Sequence, residues 1–294
     1  MEQDYSRTAE GIALIRAMER AKPAAERILD DPYAAAFLQH RIFRLVARFK
    51  MLSRLALRFI DRWAPGGQEF LTIRGRLVDD LAVEMAAQGL EQVVLLGAGF
   101  DTMALRIKDA LPGVTIFEVD HPATQAVKRE AMARLGLPAN VRFVAVDFEQ
   151  DDFVKRTGAA GFDSQRRSLI VWMGVSYYLT AQAMARTMAQ MGELGGQGTR
   201  LIFDYTLAEV IDGTSQNRDA LSKARRVAEL GEPWLFGLQP DEVPDYLAAF
   251  GFRLLKGYEP AELRARYCPH RRMPMTYVRI AICERTSAAI HSGS

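Results

Sequence analysis

The chain of 294 residues predicts an α/β fold with a mostly parallel sheet, and three observations carry that prediction. From Gln92 onward, short apolar runs alternate with segments of helical period. The runs are unbroken rather than alternating, as in strands buried on both faces. No long linker interrupts the order.

The elements follow in order. Residues 1–90 read as helical. Ile12, Ile15, Ala17 and Met18 repeat at helical spacing after Ser6 or Thr8 as N-cap, and Lys22-Pro23 stops the helix. Asp30 or Asp31 caps a second helix with Pro32 at its first position and Tyr33, Phe37 and Leu38 on one face. A third spans 41–63 with Phe43, Val46, Phe49, Leu52 and Leu55 facing inward, until Ala64-Pro65-Gly66-Gly67 breaks it. The fourth covers 68–88, its apolar pattern interrupted by Arg74 and Arg76. Strands are expected at 93–96, 115–119, 141–146, 169–172 and 200–203, with helices at 102–110, 122–136, 150–157 and 180–193 between them. Helical segments at 215–230 and 240–250 precede two last strands, 252–258 and 275–282, and the tail Ser287–Ser294 is expected to fray. The expectation is therefore a single domain, 1–294: a helical part (1–90), a ligand-binding core (91–205), a helical insertion (206–250) and C-terminal strands (251–286).

Composition narrows the functional classes. With 38 Lys+Arg against 36 Asp+Glu, the charge of +2 gives no overall pull on nucleic acid or membrane, although 41–62 is locally basic. Two cysteines, Cys268 and Cys283, and four histidines make neither a disulfide framework nor a zinc cluster, so no metal is expected. Without a signal-peptide core or an apolar run of roughly 18 residues, a cytoplasmic protein is expected.

In open parallel sheets, ligands bind beyond the carboxyl ends of the strands. After the first run stands Leu96-Gly97-Ala98-Gly99-Phe100-Asp101-Thr102, where two glycines let the backbone turn and approach a ligand. The second run ends in Asp120, near the offset at which an acid reaches ribose hydroxyls, and the third in Asp147-Phe148, an acid able to accept from an adenine amino group. Thr102 stands where a dinucleotide fingerprint wants its third glycine, which disfavours an NAD-dependent dehydrogenase, and no Gly-Lys-Ser/Thr triplet marks a P-loop. The pattern suits S-adenosyl-L-methionine. Asp120 and Asp147 also suit helix caps, and the glycines a plain tight turn.

These stretches, with Ser6-Arg7-Thr8-Ala9, Arg16-Ala17, Asp31-Pro32-Tyr33-Ala34, Arg74-Gly75-Arg76, Asp79-Asp80, Arg106 and Tyr178-Leu179, resemble the leucine carboxyl methyltransferase family over residues 5–205. The resemblance implies a Rossmann-like class I methyltransferase fold, a seven-stranded sheet with an antiparallel last strand. It also implies that Gly97 and Gly99 line the methionine and ribose end, that Asp120 holds the ribose and that Asp147 and Phe148 frame the adenine. Arg74, and with it Arg16, would bind the cofactor's carboxylate. The chain departs from the family at Met173, which replaces a usual Glu and cannot accept a hydrogen bond as that residue does.

The expected activity is transfer of a methyl group to a carboxylate of a small molecule, a polyketide or aromatic acid, by a monomer or homodimer. Arg106, Arg271 and Arg272 are candidates to attract that carboxylate, and Tyr177, Tyr178 and His270 are the catalytic candidates. A phenolic hydroxyl acceptor, with His270 as base, is the nearest alternative; a cofactor-binding protein without catalysis is another. Methylation of a protein phosphatase is open from the family resemblance. Asp79 and Asp80 read as ion-pairing residues, with Arg106 as a contact.

Overall fold

The structure, a computed structural model, describes residues 5–148, 150–229 and 231–286. Helices α1 (Arg7–Glu19), α2 (Arg41–Arg48), α3 (Lys50–Trp63) and α4 (Gly67–Ala86) come first. Then follow β1 (Gln92–Leu96), α5 (Met103–Arg106), β2 (Thr115–Asp120), α6 (Pro122–Leu135), β3 (Val141–Ala145), α7 (Phe153–Ala159), β4 (Ser168–Trp172), α8 (Ala181–Glu193) and β5 (Arg200–Leu207). The remainder comprises α9 (Ala208–Ile211), α10 (Arg218–Glu229), β6 (Gly237–Leu238), α11 (Val243–Ala248), β7 (Phe252–Tyr258), α12 (Pro260–Tyr267) and β8 (Val278–Arg285).

Among the described residues the sheet runs β3-β2-β1-β4-β5-β8-β7, with the short β6 beside the end of β5. Strands β1 to β5 are parallel, and β8 is antiparallel to both β5 and β7. The seven expected strands and the reversed last one are present; β6 is an addition that two residues could not announce.

Alternation along each strand divides the core in two. Val93 and Leu95 of β1 face α4, joining Ile73 and Leu77, whereas Val94 and Leu96 face the layer holding Trp172, Phe203, Met184 and Met188. All residues of β1 and β4 are buried, which explains the unbroken apolar runs 93–96 and 169–172. The strand order reverses between β1 and β4, and a crevice opens there beyond the carboxyl ends.

Several local expectations are corrected. The segment after Pro32 is a short 3₁₀ turn, Ala34–Phe37, because Asp31 Oδ1 accepts from both Tyr33 N and Ala34 N and closes the chain tightly. The helix expected over 41–63 is a hairpin: Phe49 is extended (φ −106°, ψ 114°), and the Ser53 hydroxyl donates to Val46 O at 2.8 Å, satisfying a carbonyl at the end of α2. Restarting the helix at Lys50 changes its phase. Ser53 and Leu57 consequently face inward, while Phe49, Leu52 and Leu55 face outward. Helix α12 lies where no element is expected. Cys268, read as a loop thiol, is buried, as is Cys283. The tail Ser287–Ser294 lies outside the described residues.

Candidate functional site

A cavity of about 490 Å³ occupies the crevice. Its floor is the β1 turn, where Gly97 (φ +67°) and Gly99 (φ +49°) take left-handed conformations that side chains resist. A Cβ on Gly97 would stand 3.0 Å from Val175 Cγ2, and one on Gly99 3.2 Å from the Ala9 methyl. The turn is held from β2: Gly97 N and Ala98 N donate to Val119 O at 2.9 and 3.1 Å, and Gly99 N donates to Asp120 Oδ2. Asp120 Oδ1 accepts from His121 N at 2.6 Å. Burial pushes the Asp120 carboxyl above its usual range, against the pull of these two N–H groups. Beneath lies a buried ion pair, Lys128–Glu118 at 2.7 Å.

Two arginines reach the lining. Arg16, from α1, is fixed by Asp31 (Nε to Oδ2, 2.9 Å) and donates to Phe100 O. Arg74, one helical turn from the buried Phe70 and Leu77 on α4, pairs with Asp204 Oδ2 at 3.0 Å. Asp204, fully buried in β5, also accepts from Gly174 N at 2.7 Å, and its carbonyl accepts from Ser176 Oγ. Gly174 has φ +78°, and a Cβ there would come 2.9 Å from Arg74 Nη1. The segment after β4 can therefore close on the guanidinium only as glycine.

Behind the glycine turn, Arg106 forms a two-bond pair with Asp79 (2.9 and 2.8 Å) and donates to Thr102 Oγ1 at 2.7 Å. Thr102 in turn donates to Asp31 Oδ2 at 2.7 Å. The position that disfavoured a dinucleotide fingerprint is thus a junction between the turn and the N-terminal helices. The expected Asp79–Arg106 contact is present.

Over the top, Ser6, Thr8, Ala9 and Ile12 of the α1 region cover the cavity, together with Gly231, Glu232, Pro233 and Leu235 following α10. The Thr8 hydroxyl donates to Glu232 at 3.1 Å and seams the two covers.

Of the site residues expected from sequence, Arg16, Arg74, Gly97, Gly99, Asp120, Met173 and Tyr178 line this cavity. Tyr177 stands behind it, its ring tilted against Tyr178 and edge-on to Trp234 at centroid distances of 4.8 and 5.5 Å. Asp147 and Phe148 are not in the wall. The Asp147 carboxylate turns into its own loop, accepting from Gln150 Nε2 at 3.0 Å, and the Phe148 ring leans toward Phe153. His270 is exposed on the loop after α12, away from the lining. Nor do the three arginines offered for an acceptor carboxylate line it. Arg106 is committed to Asp79, Arg271 to Glu19 and Glu69 at 2.6 and 2.7 Å, and Arg272 to Asp61 at 2.7 Å. Asp204 and Glu232 are site residues that sequence reasoning misses; an acid interrupting the apolar run of β5 was the available signal for the first.

The sheet order and a covered crevice at the β1 and β4 ends define a class I methyltransferase fold. Among the solved structures that share it are the following two. A candidate methyltransferase of Thermobifida fusca has TM-score 0.61 at 17% identity, covering 92% of this chain and 97% of that one. A DUF574 family protein of Streptomyces avermitilis has TM-score 0.62 at 13% identity, covering 93% and 97%. The chain belongs to the leucine carboxyl methyltransferase family, whose sequence profile matches residues 9–192. A Mycolicibacterium smegmatis relative, named as a candidate S-adenosyl-L-methionine-dependent methyltransferase, is 30% identical over 256 residues, spanning 84% of this chain and 81% of that protein.

Proposed function

We propose that this chain, an S-adenosyl-L-methionine-dependent methyltransferase by family, methylates a carboxylate oxygen of a small molecule to give a methyl ester. The cavity suits the cofactor on its own chemistry. Its glycine floor leaves room that side chains would fill, Asp120 presents a carboxylate for ribose hydroxyls, and Arg74 and Arg16 offer guanidiniums for a carboxylate. When bound, the cofactor supplies a methyl group already activated on a sulfonium sulfur. The protein's work is to align the acceptor and exclude water, which the α1 cover and the Thr8–Glu232 seam provide.

The observation that carries the acceptor class is the character of the wall. Its phenol, Tyr178, is pushed above the usual range by burial, as is Tyr177 behind it, so both remain protonated near neutral pH. The Asp120 carboxylate is engaged by Gly99 and His121, and that of Asp101 by the Met103 N–H and the Arg106 guanidinium. The remaining carboxylate, Glu232, accepts from the Thr8 hydroxyl at the cover, and a wall whose acids are engaged in this way suits an acceptor that is ionised beforehand. A carboxylic acid (reference pKa about 4) meets that condition at pH 7, whereas a phenol near 10 needs a base. For a phenolic acceptor, the base would be Glu232 rather than the distant His270.

Incubation with methyl-labelled cofactor and a panel of aromatic and polyketide acids should give base-labile esters, and labelling only as base-stable ethers would refute the carboxylate reading. Ester formation should also hold a flat rate from about pH 6 to 9, because the acceptor stays ionised across that range.

A further inference from the structure

We propose that the α2–α3 hairpin is a docking face for an anionic lipid bilayer. Its inner side packs on the molecule through Phe43, Val46, Ser53, Leu57 and Ile60. Its outer side does not follow the rule that large apolar groups are hidden. Met51 is 74% exposed, Phe59 63%, Trp63 60% and Leu55 55%, with Ile42 and Leu45 continuing the patch onto α2. Isolated exposed apolar residues are ordinary, but these are contiguous.

The pattern along α3 is regular. Leu52, Leu55, Phe59 and Trp63 follow one another at spacings of three and four and make one stripe, about 17 Å long at the helical rise. Arg54, Arg58 and Arg62 make the adjacent stripe, with Lys50 at its start and Arg41, Arg44 and Arg48 continuing it on α2. Residues 41–63 thus carry seven cations against one acid, and that acid, Asp61, is paired with Arg272. An aromatic and aliphatic stripe flanked by arginines is the composition of a helix lying in the plane of a membrane interface. There apolar side chains enter the acyl boundary while the arginines remain among the headgroups.

Charge selects the occupant. A two-fold dimer would set this surface against its own copy, bringing like charges together across an apolar seam. A bilayer containing acidic headgroups supplies the opposite sign over the whole face and accepts the apolar stripe as well. The net charge of +2, which gave no expectation of a membrane, averages over the chain and conceals the local field. No described helix is long and apolar enough to cross a membrane, so the contact is one of lying on the surface. The inference is independent of the acceptor.

The test uses the full chain with vesicles of pure phosphatidylcholine and of equimolar phosphatidylcholine and phosphatidylglycerol. Co-sedimentation should be at least about ten-fold stronger on the anionic vesicles and should fall as salt is raised. The Trp63 emission should shift to the blue, a change absent in Trp63→Phe. Neutralising two exposed cations, Arg44→Gln with Arg58→Gln, should weaken binding roughly thirty-fold, while lysine at both positions should restore it. Leu55→Ser with Phe59→Ser should abolish it. Equal binding to both vesicle types, or binding to neither, would overturn the proposal. So would a concentration-dependent dimer dispersed by Leu55→Ser with Phe59→Ser, which would assign the face to self-association.

Discussion

Asp101 shows how single charges fix the site. Its Oδ1 accepts from Met103 N at 2.6 Å and lies 3.5 Å from Arg106 Nη1. Burial acts to raise its pKa, but the charges of Arg106, Arg16 and Lys128, with the Met103 N–H, outweigh it and hold the carboxyl well below its ordinary 3.8. The native state therefore binds this proton less readily than the unfolded chain. The resulting stability is complete above the unfolded pKa and is lost as pH falls toward the native one. Denaturant titrations should find a stability gap between the wild type and Asp101→Asn that is constant above about pH 5 and narrows below about 4; a gap widening with acidity would contradict this. Much of the residue-level site was legible because position alone places Gly97, Gly99 and Asp120 at strand ends facing the crevice. Asp204 was not, since its meaning lies in Arg74, 130 residues away. Asp147 shows the other limit: its strand end was read correctly, but the direction of the side chain depends on a local turn that spacing does not encode.

At the level of elements, α1 links capping to the covered cavity. The Ser6 hydroxyl accepts from Ala9 N at 3.1 Å, and Ala9 is the residue packed over Gly99. Ser6→Ala should cost about 1 kcal/mol in unfolding free energy. Because fraying begins at the turn that closes the site, calorimetry should also show S-adenosylhomocysteine binding weakened up to about five-fold, with recovery in Ser6→Thr. A stability loss with unchanged affinity would separate the cap from the site. Helical periodicity revealed α1, α4, α6 and α8 because each has a buried stripe in phase along its length. It failed at Phe49, where one extended residue shifts the phase and reverses which side chains of α3 are inward. The apolar content of 41–63 was visible in sequence; the face it occupies was not.

On the scale of the molecule, the parallel sheet was expected from the alternation of elements and its reversed last strand from the family resemblance, whereas the strand order and the dependence on the N-terminal helices are visible only in three dimensions. Arg16, Asp31, Thr102, Arg106 and Asp79 form a continuous polar chain from α1 through the 3₁₀ turn and the glycine turn to α4. Arg74 extends the linkage to β5 through Asp204. Removing one partner of a buried pair costs about 3–5 kcal/mol, and two such losses approach the roughly 5–15 kcal/mol that holds a domain folded. A fragment beginning at Leu90 would remove Asp79 from Arg106 and Arg74 from Asp204, and it should show no cooperative thermal transition by circular dichroism; a sharp melt would refute the linkage. These crossing pairs also set the unit of exchange between relatives. A sheet grafted from one member of the family into another must bring its own first ninety residues, because the ion pairs that neutralise its strand-end charges are written on the far side of the splice.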